Sequence, residues 1–249
     1  MRIDLNADLG EGYGVWALGD DDALLDVVTS ANVACGFHAG DPATMLRTVV
    51  AAHERGVRIG AQVSYPDLVG FGRRRMDVDT ETLAADVLYQ LGALQAICRS
   101  IGAEVSYLKP HGALYNRIVG DEQQARAVVN AMTRSPEQIP LMVLPGSTAA
   151  QVATELGVPT IAEGYADRAY TGTGALVPRS EPGAVLHDPD VVAARVVRLV
   201  TEQRVTAVDG SELDVSVDSV CLHGDTPGAV AIARAVHAAL TAARVEITA

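Results

Sequence analysis

Short apolar segments, each closed by a polar residue or a glycine, alternate along the chain with longer stretches in which apolar positions recur every three or four residues. The short segments fit buried strands of a parallel sheet, and the longer ones fit amphipathic helices. Strands are expected at 2–7, 31–36, 57–62, 104–109, 140–144, 158–163 and 219–223. Helices are expected at about 20–29, 41–55, 79–101, 121–134, 147–155, 188–202 and 226–243. Several helix starts are written into the sequence. Asp41-Pro42, Asp188-Pro189 and Asp225-Thr226-Pro227 each set a capping side chain ahead of a first-turn proline.

The alternation breaks twice. Residues 204–217 alternate around Asp209-Gly210 and read as an inserted β-hairpin. Residues 164–187 are rich in Gly, Tyr and Pro and read as a long loop, a length that is usually functional. Strand–helix alternation implies a parallel sheet with right-handed crossovers, which an open doubly wound sheet and a closed barrel satisfy equally. The polar residues decide between them, because nearly every strand runs out into one. Two strand ends share a grammar: Cys35-Gly36-Phe37-His38-Ala39-Gly40-Asp41-Pro42 and Cys221-Leu222-His223-Gly224-Asp225-Thr226-Pro227. The expected fold is therefore α/β, a seven-stranded (β/α) barrel forming one domain over residues 1–249, with functional groups at the carboxyl ends of its strands.

Composition narrows the function. A chain of 249 residues that is 49% hydrophobic can bury a large core. Its net charge of −12 argues against nucleic-acid binding, and Arg73-Arg74-Arg75 is only a local basic patch. The chain opens directly on the alternating segment Met1-Arg2-Ile3-Asp4, so no signal peptide is expected, and no apolar run approaches the roughly 18–20 residues of a membrane span. Three cysteines without CxxC spacing predict neither a disulfide framework nor structural zinc, and hence a reduced cytoplasmic protein.

The chemistry-bearing residues gather at the strand ends. Three of the six histidines, His38, His111 and His223, stand there with Asp8, Glu11, Asp41 and Asp225, a set suited to general acid–base work or to holding a metal. Asp41 and Asp225 have a competing reading as helix caps. Lys109 could bind a carboxylate, or act as a base if desolvation lowers its pKa. Asn6, Arg73, Tyr115 and Arg168 are the remaining substrate-binding candidates, with Asp41. There is no GxxxxGK[ST] loop, no GxGxxG after a strand and no GxSxG elbow, so neither a nucleotide loop nor a serine nucleophile is signalled.

Long motifs along the whole chain resemble one family. They are Asp4-Leu-Asn-Ala-Asp8-Leu-Gly-Glu11, the segment Ser30 to Pro42, Tyr65 to Arg74, Lys109-Pro-His-Gly-Ala-Leu-Tyr115, Ala166 to Tyr170, Val177 to Ser180 and His223 to Gly228. Together they are similar to the LamB/YcsF family. The resemblance implies a barrel of the glycoside hydrolase/deacetylase type and the role of the A subunit of an ATP-dependent 5-oxoprolinase. It further implies conversion of 5-oxoproline to L-glutamate with ATP hydrolysis, alongside 5-oxoprolinase subunits B and C. Opening an unstrained lactam is uphill near neutral pH, which makes coupling to ATP sensible, and the missing nucleotide loop fits ATP being handled with the partners.

The sequence departs from the family pattern at Ala7, where relatives often carry Cys, and at Gln62, where a Gly-Ala-His-Pro run reads Gly60-Ala61-Gln62-Val63. Gln is a poor replacement for an imidazole metal ligand, so a metal is left undecided. Two other functions remain on the sequence: a stand-alone metal-dependent deacetylase or carbohydrate hydrolase, and a non-catalytic barrel that carries substrate within the complex.

Overall fold

The computed structural model describes residues 1–225 and 228–249. Seven parallel strands close into a barrel: β1 (Arg2–Leu9), β2 (Ser30–Ala34), β3 (Arg58–Val63), β4 (Tyr107–Pro110), β5 (Leu141–Val143), β6 (Thr160–Tyr165) and β9 (Ser219–Leu222). Each pairs with the next, and β9 returns to β1 with Asp4 opposite Ser219 and Ala7 opposite Leu222, which closes the ring. The hairpin appears where its alternation placed it, as β7 (Arg204–Thr206) and β8 (Glu212–Asp214). Around the barrel lie α1 (Asp21–Leu25), α2 (Pro42–Glu54), α3 (Thr80–Ser100), α4 (Gly112–Arg117), α5 (Glu122–Arg134), α6 (Thr148–Glu155), α7 (Pro189–Glu202) and α8 (Ala229–Ala242).

Two elements escape the sequence pattern. The two-residue strand β10 (Glu246–Ile247) pairs with Arg2 and Ile3 at the start of β1, and α4 follows β4 directly. Both are too short to show a period. The expected cap of the last helix falls partly on Thr226 and Pro227, which lie outside the described residues. Asp225 itself pairs with Arg73 instead. Asp41 and Asp188 do cap α2 and α7, each with proline in the first turn.

The strands are buried on both faces, but the two faces differ in kind. Leu5, Ala7, Leu9, Val33, Ile59, Ala61, Val63, Leu108 and Leu222 face the helices and join the large apolar core with Leu83, Leu91, Leu94, Val128 and Val196. Many of their neighbours one residue away point into the barrel and are polar. Asp4 Oδ1 accepts from Ser30 Oγ (2.8 Å) and Thr29 Oγ1 (2.6 Å). Asn6 donates to Ser219 Oγ (2.7 Å), and Asn32 Nδ2 donates to both Asn6 Oδ1 and Asp8 Oδ1 at 2.8 Å. Barrel interiors of this kind are more often filled with branched apolar side chains. Here the interior is a polar column whose members are hydrogen-bonded to one another across the barrel, as burial demands.

Tyr107 fills the remaining width. Its hydroxyl donates to Asn32 Oδ1 (2.6 Å), and its ring lies over Gly60, where a Cβ would fall 2.1 Å from Cε2. Only a glycine fits beneath that ring. The column thus fixes the register of β1, β2, β3 and β9, and at its upper end it becomes the functional site.

Candidate functional site

At the carboxyl ends of the strands the polar column opens into a cavity of about 620 Å³, of the size that holds small-molecule ligands. Asp8, Lys109, His111, Tyr115, Tyr165 and His223 line its inner part, and Arg73, Arg75, Arg117, Arg168 and Arg179 its rim. Alternation along each strand explains this grouping: Asp8, Lys109, Tyr165 and His223 continue the inward-facing rows of Asn6, Tyr107, Glu163 and Cys221.

Lys109 forms the floor. It is almost fully buried, with Nζ 2.9 Å from Asp8 Oδ1, 2.8 Å from Glu163 Oε1 and 3.0 Å from Cys221 Sγ. Burial disfavours its charge, but the Asp8 and Glu163 carboxylates outweigh that and hold its pKa well above the ordinary lysine value. Lys109 is therefore a fixed ammonium at neutral pH, and the reading of it as a base is corrected. Burial likewise pushes Asp8 upward, yet Lys109, with His223 and His111, holds it below the usual carboxylate range. Glu163 ends a strand in the sequence but is absent from the candidates drawn there. Nothing in the residue type announces that its carboxylate meets Lys109 across the barrel.

The histidines divide into two arrangements. His223, at the end of β9, holds Nδ1 2.7 Å from Asp167 Oδ1, just beyond β6, and its ring stacks on Tyr165 with centroids 5.6 Å apart. Burial raises the Asp167 pKa, but His223 opposes it and the carboxyl stays below its ordinary value. On the other side, His38 and His111 stack with centroids 4.2 Å apart at 19°. Phe71 packs edge-on against both rings, and a Cβ on Gly72 would come within 3.0 Å of His111 Nδ1.

Gln62 links His38 Nε2 (3.2 Å) to Glu11 Oε1 (3.1 Å), and Glu11 Oε1 is 3.6 Å from His111 Nε2. Burial lowers both pKa values, His38 to about 4 and His111 well below normal with His38 adding repulsion, so both rings are neutral. Burial, with Asp8 and Asp225 nearby, pushes Glu11 well above the usual range and toward its protonated form. His111 stands at the N-cap position of α4 without making a side-chain cap bond, which leaves its ring to the cavity.

The other candidates are distributed unevenly. Tyr115 lines the cavity with its hydroxyl buried and unpartnered among the described residues. Arg168 also lines it, its Nη2 donating to Val177 O (2.6 Å) and its Nε to Ala184 O (3.3 Å). Those bonds tie the long 164–187 loop to the cavity wall. Arg73 reaches the rim but is paired with Asp225. Glu11 and His38 sit behind His111 rather than on the cavity surface, and Asn6 lies below the floor, 3.3 Å from Lys109 Nζ.

Asp41 is not brought to the site. It accepts from Ala43 N, Gly14 N and Thr44 Oγ1 as the cap of α2 and the anchor of the first loop. Its place three residues after His38 makes it look like part of the same group. Asp167 lies in the Ala166–Tyr170 motif of the sequence, but its contact with His223, 56 positions away, is visible only in the fold.

Two groups of potential metal ligands occur among the described residues: Asp8, Cys221 and His223, and Glu11, His38 and His111. In the first, the Lys109 ammonium already contacts Asp8 and Cys221, so a second cation would meet its repulsion. In the second, the donor atoms of Glu11, His38 and His111 lie within 4.8 Å of one another, and Nδ1 of both imidazoles is buried without a partner among the described residues. The first group is thus already occupied by the ammonium, whereas the donor set of the second is one that could hold a metal ion.

Fold and site together define a (β/α) barrel with a cavity lined by carboxylate, imidazole, ammonium and guanidinium groups at its carboxyl-terminal mouth. The LamB/YcsF family description matches residues 3–249, and the chain belongs to that family. A relative from Mycobacterium leprae, the A subunit of 5-oxoprolinase, is 60% identical over 247 residues, covering 99% of this chain and 98% of the relative. The corresponding 5-oxoprolinase chain of Streptomyces griseus is 58% identical, covering 99% of each. Among solved structures, the lactam utilization protein from Thermus thermophilus superposes over the full length of both chains with a TM-score of 0.95 at 45% identity. A GH30 endoxylanase from Clostridium papyrosolvens shares the fold alone, with a TM-score of 0.51, 10% identity, and coverage of 95% of this chain and 71% of that one.

Proposed function

We propose that this chain is the lactam-opening A subunit of an ATP-dependent 5-oxoprolinase, converting 5-oxoproline to L-glutamate with the partner subunits B and C in the cytoplasm. The observation that carries the reading is the cavity itself. Imidazoles on opposite walls, His111 and His223, face a space floored by Asp8 and Lys109 and rimmed with arginine. The near-full-length likeness to 5-oxoprolinase chains and to a lactam utilization protein supports that substrate.

The chemistry follows from the groups in place. The substrate carboxylate meets Arg168 and Arg179, neither of which has a carboxylate within ion-pair distance among the described residues. The Tyr115 hydroxyl, kept protonated by burial, donates to the bound lactam. An imidazole takes a proton from water as the water oxygen bonds to the lactam carbonyl carbon. The C–N bond then breaks, its electron pair stays on nitrogen, and nitrogen takes up a proton. The Lys109 ammonium favours the negative charge that develops on the carbonyl oxygen above it. ATP hydrolysis drives the opening, with the nucleotide handled with the partners; among the described residues nothing in this chain resembles a nucleotide loop. No described helix is long and apolar enough to cross a membrane.

The test is glutamate formation from 5-oxoproline and ATP, measured for this chain alone and with its B and C partners. Turnover that needs all components, and that falls at least 100-fold in Asp8→Asn/His111→Gln, is expected from loss of general acid–base and electrostatic groups, each worth about 10²–10⁴. Undiminished turnover by that double variant would sink the site assignment.

A further inference from the structure

We propose that His223 is the general base of this site and that Asp167 is the positioning residue that makes it one. This rests on the reading of the cavity as a lactam-opening site. The two cavity histidines are not equivalent. His223 is hydrogen-bonded through Nδ1 to Asp167 Oδ1 at 2.7 Å, a distance that fixes the ring and places its proton on Nδ1. Nε2 is then the unprotonated nitrogen, free to accept from a water in the cavity that His223 lines. Among the described residues His111 has no such partner: its Nδ1 is buried and unsatisfied, and its Nε2 stands 3.6 Å from Glu11, beyond hydrogen-bond length.

Charge separates the pairs in the same sense. When His223 takes a proton, the imidazolium is hydrogen-bonded to the Asp167 carboxylate. A proton on His111 would instead meet a neutral ring stacked 4.2 Å away, with no carboxylate in hydrogen-bond reach among the described residues. On the Asp167 side His223 takes the proton from water and returns it to the ring nitrogen as the C–N bond breaks.

Neighbouring elements hold Asp167 rigidly. Its backbone carbonyl accepts from Leu186 N (2.8 Å), and the guanidinium of Arg195 on α7 binds the carbonyls on both sides of it, Ala166 O (2.7 Å) and Arg168 O (2.8 Å). Arg179 on the rim and Asp8 on the floor are charged groups facing the pair. Stacking on Tyr165 fixes the plane of the imidazole.

The experiment combines nitrogen NMR of ¹⁵N-histidine-labelled protein with turnover by the reconstituted complex, using Asp167→Asn. In the parent protein, the signal assigned to His223 by its loss in His223→Gln should show the Nδ1–H tautomer. In Asp167→Asn the new amide donates to Nδ1 and forces the Nε2–H tautomer, while the His38 and His111 signals stay in place and report an intact fold. Turnover should fall about 10³–10⁴-fold with KM changed less than about threefold, the scale seen when a triad aspartate is made asparagine. An Nε2–H tautomer in the parent protein overturns the proposal without any variant. So does an Asp167→Asn protein with the switched tautomer and undiminished kcat. Failure of the parent complex to open 5-oxoproline would instead overturn the lactam reading, while the tautomer measurement still decides the role of Asp167.

Discussion

Replacing Lys109 with Met removes the one ammonium in the barrel and keeps most of the side-chain volume. Asp8 and Glu163, now 2.9 and 2.8 Å from Nζ and almost fully buried, are left without their cation. Breaking a buried pair in this way costs about 3–5 kcal/mol, because the orphaned charge cannot return to water. At roughly 2–4 °C per kcal/mol for a chain of this size, the melting temperature should fall by about 6–20 °C.

The pH dependence gives the sharper check. In the parent, Asp8 is held below its ordinary pKa, so its contribution is present at neutral pH and is lost only as pH falls through that depressed value. In Lys109→Met burial acts on Asp8 alone and raises its pKa, which reverses the sign. The deficit is largest at neutral pH and shrinks toward pH 5 as the carboxyl takes up a proton in the folded state. Asp8→Asn added to Lys109→Met should recover part of the loss. Urea melts at pH 5, 6, 7 and 8 measure this, and a deficit below about 1 kcal/mol, or one independent of pH, would refute the claim that Lys109 neutralises the barrel floor.

Gly60→Ala should destabilise by about 1–3 kcal/mol through the clash of its Cβ with the Tyr107 ring, read as a shift of the urea midpoint with unchanged m. Asp41→Ala should lower the melting temperature while leaving kcat within twofold, since its carboxylate caps α2 and holds Gly14 rather than reaching the cavity. Chain stripped with a chelator, desalted and returned to partners and magnesium–ATP should turn over as before if imidazoles and fixed charges alone carry the chemistry; recovery only on adding back a transition metal would assign the Glu11, His38 and His111 group to a metal instead.

Strand–helix alternation, the hairpin and the carboxyl-end location of the site are all readable from the sequence, because they rest on periodicity, turn chemistry and sheet polarity. Asp8, Lys109, His111 and His223 are readable for the same reason: each is the last inward-facing residue of its strand or lies just past it. What the sequence does not expose depends on barrel closure. Glu163 meets Lys109 and Asp167 meets His223 only because β6 and β9 pair with Glu163 opposite Ser219 and β9 returns to β1.

The polar interior column is hidden in plain view. The alternation Asp4-Leu5-Asn6-Ala7-Asp8 is present, but short strands buried on both sides are expected to be apolar throughout. Asp41 shows the converse limit. Its two readings, cap and ligand, use the same residue at the same spacing, and only the bond to Gly14 N separates them.

A crystal structure of this chain with 5-oxoproline bound would locate the chemistry outright. The lactam is expected in the cavity at the strand ends, its carbonyl oxygen over Lys109, its carbonyl carbon facing His223 Nε2 across a water, and its carboxylate on Arg168 and Arg179. A lactam bound elsewhere, or one in the cavity with the carbonyl turned away from both His223 and Lys109, would contradict the assignment of this mouth as the lactam-opening site.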